Sequence, residues 1–149
     1  MSGADGMSRL AQLYQDMILD HNKHPRHFVS LETHTHDAFG KNPLCGDEYH
    51  LELSIEEGVI MDVGFQGSGC AISKASGSLM CDTIKGKSVS DALGLKDIFL
   101  NAMMGEGVLA DKLRVFEGVK KFPARVKCAT LIWRALEAAL SGNKEISTE

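Results

Sequence analysis

A chain of 149 residues with 44% hydrophobic and 24% charged positions is long enough to bury one core without disulfide staples, and a single domain is expected. Its formal charge of −4, with no basic run interleaved with aromatics, argues against a nucleic-acid partner. No apolar stretch approaches the roughly 20 residues a membrane helix needs, so no membrane partner is expected.

Residues 1–6 are small and polar and form no apolar signal segment. They are expected to be a flexible extension, with Met7 as a second start, on a cytoplasmic protein. From Met7 to His24, Leu10, Leu13, Met17 and Ile18, with Tyr14, recur at helical spacing, and Pro25 closes that helix. Residues 31–42 are polar, with a short first strand expected near Thr33–Phe39. Tyr49, Leu51, Leu53 and Ile55 then alternate with Glu48, His50, Glu52 and Ser54; after a turn at Glu56-Glu57-Gly58, Val59, Met61, Val63 and Phe65 alternate again. These runs predict an antiparallel hairpin with one wet face. Helical spacing returns after Cys70 and lasts to Gly86, with Ile72, Ala75, Leu79 and Met80 inward, and Ser88-Val89-Ser90-Asp91 reads as the cap of another helix. Residues 105–118 predict a loop and one short helix. Pro123 opens a last helix with Ala129, Ile132, Trp133, Leu136, Ala139 and Leu140 on its apolar face, ended by Gly142. The expected architecture is α+β: one compact domain over 7–142, a small antiparallel three-stranded sheet packed on one side by helices, and a flexible tail over 143–149.

Four cysteines in a protein expected to be intracellular point to metal or sulfur chemistry rather than disulfides. Cys45 and Asp47 flank Gly46 on a loop entering a strand. Cys70 follows Gly67-x-Gly69 at a strand-to-helix junction, and Cys128 lies early in the last helix, near Lys120, Lys121, Arg125 and Lys127. Three thiolates and one carboxylate can complete a tetrahedral metal site, and helix starts favour thiolates. The competing reading is three unrelated buried cysteines. Cys81, eleven residues after Cys70, sits about 16 Å along a continuous helix and is expected to be a core thiol. The runs His21-x-x-His24-Pro25-Arg26-His27 and His34-Thr35-His36 also have ligand spacing, but structural or docking roles are expected, with Asp20 orienting the His21 ring.

These segments resemble the U-type iron–sulfur assembly family, which is NifU N-terminal-like and includes the IscU and SufU branches. The resemblance runs from about Leu10 to Leu140. It is carried by Asp20-His21-x-x-His24-Pro25-Arg26, Asn42-Pro43-x-Cys45-Gly46-Asp47, Gly67-x-Gly69-Cys70-x-Ile72-Ser73-x-Ala75-Ser76, Gly86-Lys87-Ser88 and Phe122-Pro123-x-Arg125-x-Lys127-Cys128-x-x-Leu131-x-Trp133. The chain is most similar to the Suf type: Lys127 stands where Isc-type scaffolds carry histidine, and residues 105–119 look like the Suf-type insertion. The resemblance implies zinc held by Cys45, Asp47, Cys70 and Cys128, with Cys45 as sulfur acceptor. It also implies a SufS-like cysteine desulfurase as donor and an iron–sulfur scaffold or apo-protein downstream. Arg125 and Lys127, with His21 and His24, are expected to support the site or dock the partner. A carboxylate is a harder ligand for zinc than a thiolate, which makes Asp47 the expected displaceable one. The alternative is a scaffold that assembles a [2Fe–2S] cluster on the same ligands, and a blander one is a structural zinc protein.

Overall fold

The alternating runs form the predicted hairpin, but near its turn a register shift at Ser54/Ile55 breaks the expected alternation, burying Ile60 and leaving Met61 exposed. In this computed structural model, which describes residues 2–148 with side chains from Arg9 onward, β2 (Asp47–Glu56) and β3 (Val59–Ser68) pair antiparallel. Leu51 lies opposite Phe65 and Leu53 opposite Val63, which puts both pairs on the buried face. Glu57 and Gly58 take φ of 50° and 76°, the left-handed pair that a two-residue hairpin turn requires.

β1 (His36–Asn42) adds antiparallel to β2, starting later and ending later than the strand expected near Thr33–Phe39. Its buried positions are Ala38, Gly40 and Asn42, too small or polar to display an apolar alternation in the sequence. The sheet has four strands in the order β3-β2-β1-β4, not three, because β4 (Glu145–Ser147) pairs parallel to β1. That strand falls in the stretch for which the sequence predicts only a tail. Three residues carry no readable period, and backbone groups do the docking: Phe39 N–H donates to Lys144 O at 2.7 Å, and Thr148 N–H to Lys41 O at 3.0 Å.

Helices cover one face. α1 (Ser2–Lys23) packs on α2 (Ala71–Ile84), while α3 (Val89–Met103), a 3-10 segment (Asp111–Lys121) and α4 (Pro123–Leu140) complete the layer. The backbone of α1 is helical from Ser2, so the extension expected over residues 1–6 falls on Met1, outside the described residues, and on side chains likewise not described. Ser88 caps α3 as expected, its Oγ accepting from Asp91 N–H at 3.0 Å. The core joins Leu51, Leu53 and Phe65 to Leu79, Leu131 and Trp133, with Phe99 stacked on Trp133 at 4.7 Å. Each such side chain contributes about 1.5–3 kcal/mol by leaving water. Cys81 is fully buried among them, in one unbroken helix with Cys70 at its N-cap.

The other face is not simply wet. Residues 27–35 cross it, with His27 O accepting from Phe65 N–H at 3.0 Å, and they bury Glu52 to 4% exposure. Among the described residues no helix is long and apolar enough to cross a membrane.

Candidate metal centre

Asp47 is the fixed point of the site. It is fully buried at the first rung of β2, opposite Asn42 at the last rung of β1. Its Oδ1 accepts from Cys70 N–H at 2.9 Å and from Ser73 Oγ at 3.1 Å; its Oδ2 accepts from Asn42 Nδ2 at 3.1 Å. Three donors offset the desolvation of a carboxylate that would otherwise be costly to bury. Gly69 makes the close approach possible, since a Cβ there would lie 2.5 Å from Asp47 Oδ1.

The turn between β1 and β2 presents Cys45. Its N–H donates to Asn42 O at 3.2 Å, and Gly46, at φ 71°, turns the chain back toward Asp47. Cys45 is exposed, and its neighbour Leu44 is 73% exposed. Cys128, one turn into α4, is fully buried; its thiol lies 3.2 Å from Cys45 Sγ and 3.6 Å from Ala124 O. The ligand atoms of Cys45, Asp47 and Cys128 all lie within 4.8 Å of one another.

Cys70 lies outside that compact set and approaches it from the N-cap of α2, where its Sγ accepts from Ser73 N–H at 3.4 Å. Its thiol is pushed down to about 6, chiefly by the neighbouring Cys128 thiol, with Ser73 N–H adding to the effect and burial opposing it. Cys128, crowded by Cys70 and Cys45 and buried, is pushed upward.

The donor set fits zinc. Around zinc with Zn–S near 2.3 Å, tetrahedral sulfurs sit about 3.8 Å apart. The 3.2 Å between Cys45 and Cys128 is therefore somewhat tight, and the exposed turn carrying Cys45 is free to open it. Three thiolates and one carboxylate also suit a soft divalent ion better than magnesium or calcium.

The structure sorts the remaining sequence candidates. Arg125 is exposed and Lys127 half-buried in the first turns of α4, flanking the Cys128 approach. His21 and His24 do not reach the site. The His21 Nδ1 lies 2.7 Å from Ser78 Oγ, eight residues or about 12 Å down α2 from Cys70, and His24 is exposed beyond it. Nor does Asp20 orient His21, because its carboxylate is taken by Arg26 at 2.8 Å. Residues that the sequence reading did not single out as site members are Asn42, Ser73 and Tyr49. Asn42 Nδ2 donates to Asp47 and lies 3.5 Å from Cys128 Sγ, while its buried Oδ1 meets no partner among the described residues. Ser73 hydrogen-bonds Tyr49 OH at 2.9 Å, and burial pushes the Tyr49 phenol up to about 12. The signal was a hydroxyl three residues past Cys70, at a capping position.

Residues 13–148 match the NifU-like N terminal domain family. The chain is 41% identical over 138 residues to the iron–sulfur cluster assembly scaffold protein IscU of Streptococcus pyogenes serotype M1, covering 90% of this chain and 86% of that one. It is 38% identical over 138 residues to the zinc-dependent sulfurtransferase SufU of Bacillus subtilis, covering 90% and 93%. A crystal structure from Fervidobacterium islandicum, described as a cluster assembly scaffold protein for the SUF system, superposes with a TM-score of 0.78 at 37% identity, over 83% of this chain and 93% of that one.

Proposed function

This chain belongs to the NifU-like N-terminal domain family, and we propose that within it the protein is a zinc-holding sulfur acceptor of iron–sulfur cluster assembly. The observation that supports this reading is the asymmetry of the ligand set. Asp47 and Cys128 are fully buried and Cys70 is anchored at a helix start, whereas Cys45 alone is exposed on a turn.

Cys45, Asp47, Cys70 and Cys128 would hold zinc, which when bound keeps its thiol ligands deprotonated. Cys45 is the thiolate that can meet an incoming donor, a persulfide on a cysteine desulfurase. Its sulfur attacks the outer sulfur of that persulfide, the donor's S–S bond breaks, and the donor cysteine leaves as thiolate while Cys45 carries the new persulfide. The sequence marks Asp47 as the displaceable ligand, but its three donors keep the carboxylate in place whether or not it ligates, so the buried half of the site keeps its shape while Cys45 reacts. Arg125 and Lys127 add positive charge at the start of α4, next to Cys128 in the chain. An iron–sulfur scaffold or apo-protein then takes the sulfur.

A second reading has its own support in the scaffold description of the 41%-identical relative: the same residues would carry a [2Fe–2S] cluster as cargo. Anaerobic purification decides between them. A colourless protein with about one zinc per chain that stimulates a cysteine desulfurase is expected. A brown protein with about two irons per chain and no stimulation replaces the first reading with the second. Persulfide labelling that survives Cys45→Ser would move the acceptor role to another cysteine.

A further inference from the structure

An open groove of about 910 Å³ lies between α1, the 3-10 segment and the start of α4. Tyr14, Ile18, Ile72 and Val119 line it with apolar surface. Its rim leaves large apolar side chains in water: Phe122 is 59% exposed, Leu10 48% and Leu19 44%. None of the four candidate ligands lines the groove, but along the chain its lining comes next to two of them: Ala71 and Ile72 directly follow Cys70, and Arg125 stands one turn before Cys128.

Its charge is equally uneven. Residues 111–127 hold six of the chain's 16 Lys and Arg but only two of its 20 Asp and Glu, a local balance of +4 against −8 for the rest. Part of that charge is spent within the fold: Lys112 pairs with Asp82 and Lys120 with Glu117. Lys121 and Arg125 on the groove, with Lys127 beside it, pair with no carboxylate among the described residues.

We propose that this groove docks an acidic amphipathic helix of the sulfur-donating protein, a reading that rests on the sulfur-acceptor function above. An exposed apolar groove whose lining neighbours candidate ligands in the chain marks an interaction surface. Unpaired cations on its rim select an acidic occupant and steer it to the site. The length fits a helix: Leu10 to Leu19 spans about 13.5 Å of α1, room for roughly two and a half turns laid alongside. Apolar anchors would fill the groove while acidic residues meet Lys121 and Arg125, bringing the donor persulfide toward Cys45.

The test uses the zinc-loaded full chain and a cysteine desulfurase, with Kd measured by calorimetry at low and high salt. The pair Leu19→Ser and Phe122→Ser should weaken binding by about tenfold or more, as loss of central apolar anchors does. Lys121→Glu should weaken it several-fold and flatten its salt dependence. Met61→Ser, an exposed position of β3 outside the groove, should bind as the wild type does. Zinc content and the rate of Cys45 alkylation must stay at wild-type values in every variant, which shows that the fold and the thiol are intact. Wild-type binding matched by both groove variants overturns the groove while leaving the sulfur-acceptor reading standing. A wild-type protein that does not bind the desulfurase at all removes that reading, and the proposal with it. A wild-type dimer that Leu19→Ser with Phe122→Ser makes monomeric would assign the groove to a second copy of this chain and overturn the proposed occupant.

Discussion

Two regions of this molecule gather metal-ligand residues, and they do it in opposite ways. On the outer face of the sheet the histidines already have carboxylate partners: His34 Nδ1 meets Glu52 at 2.8 Å, His50 Nε2 meets Asp37 at 2.8 Å, and Lys144 meets Asp37 at 2.6 Å. At the cysteine end, like is packed against like. Cys45 and Cys128 have mainly each other and a carboxylate, with Cys70 close by. The first arrangement is complete without an ion and works as a fastener, holding residues 27–35 and the C-terminal strand to the sheet. The second concentrates acids that lower their energy by exchanging protons for a cation. Residue type alone does not distinguish a site from a fastener; partner type does.

The largest predicted effect tests that contrast directly. Cys128→Ser should reduce zinc from about one per chain to a small fraction, measured by elemental analysis after gel filtration, whereas His34→Ala should leave it unchanged. Equal zinc loss in both variants would erase the distinction between the two regions. The next effect is on the residues that hold the ligands. Ser73→Ala removes one of the three donors to Asp47 and should weaken zinc about 10–100-fold in competition with a chromophoric chelator. An unchanged affinity would mean that Cys70 N–H and Asn42 suffice to place the carboxylate.

Much of this contrast was legible in the sequence, and the exceptions have physical reasons. Cys45, Asp47, Cys70 and Cys128 announce themselves by residue type and by their glycine and helix-start settings, and the hairpin by strict alternation. Asn42 and Ser73 do not, because a polar side chain three residues into a helix or at the end of a strand looks like solvent-facing surface until the fold buries it. Glu52 misleads in the same way: its place in the polar half of the alternation predicts exposure, yet residues 27–35 cover it. β4 is invisible because it is held by backbone hydrogen bonds and one exposed lysine. The histidine runs have ligand spacing, and what that spacing could not reveal is that partners arrive from distant elements: Ser78 and Asp82 of α2 for His21 and His27, and Glu52 of β2 for His34.

The fastener side of the comparison carries a smaller prediction, in stability rather than metal. Glu52→Ala leaves Leu31 N–H without the acceptor it has at 3.1 Å and His34 without its nearer carboxylate, which should cost about 1–3 kcal/mol in urea unfolding. Zinc content should not change. Glu52→Gln keeps an acceptor for Leu31 and should recover part of the loss. A zinc deficit in Glu52→Ala would mean that the two regions are coupled through β2.

The smallest effect belongs to His21, a fastener of a third kind. It is buried and held neutral rather than paired with a carboxylate: burial pushes its pKa below the usual 6.5, and Arg26 adds to the shift. The surroundings agree: the only polar group bonded to the buried ring among the described residues is the neutral Ser78 hydroxyl, with Oγ 2.7 Å from His21 Nδ1 and itself accepting from Arg26 N–H at 2.8 Å. Since the folded-state pKa is lowered, the stabilisation is fully present above about pH 6.5 and is lost as pH falls toward the folded value, while the unfolded chain takes up the proton. His21→Gln should therefore show a shallower decline in unfolding midpoint between about pH 7.5 and 5.5 than the wild type. Acid also weakens thiolate–zinc binding, but that contribution is common to both proteins. At roughly 12 Å from Cys70 along α2 it should cancel in the difference between them. A difference that stays flat across the range would show that His21 keeps an ordinary affinity for protons, and that Ser78 does not hold it neutral.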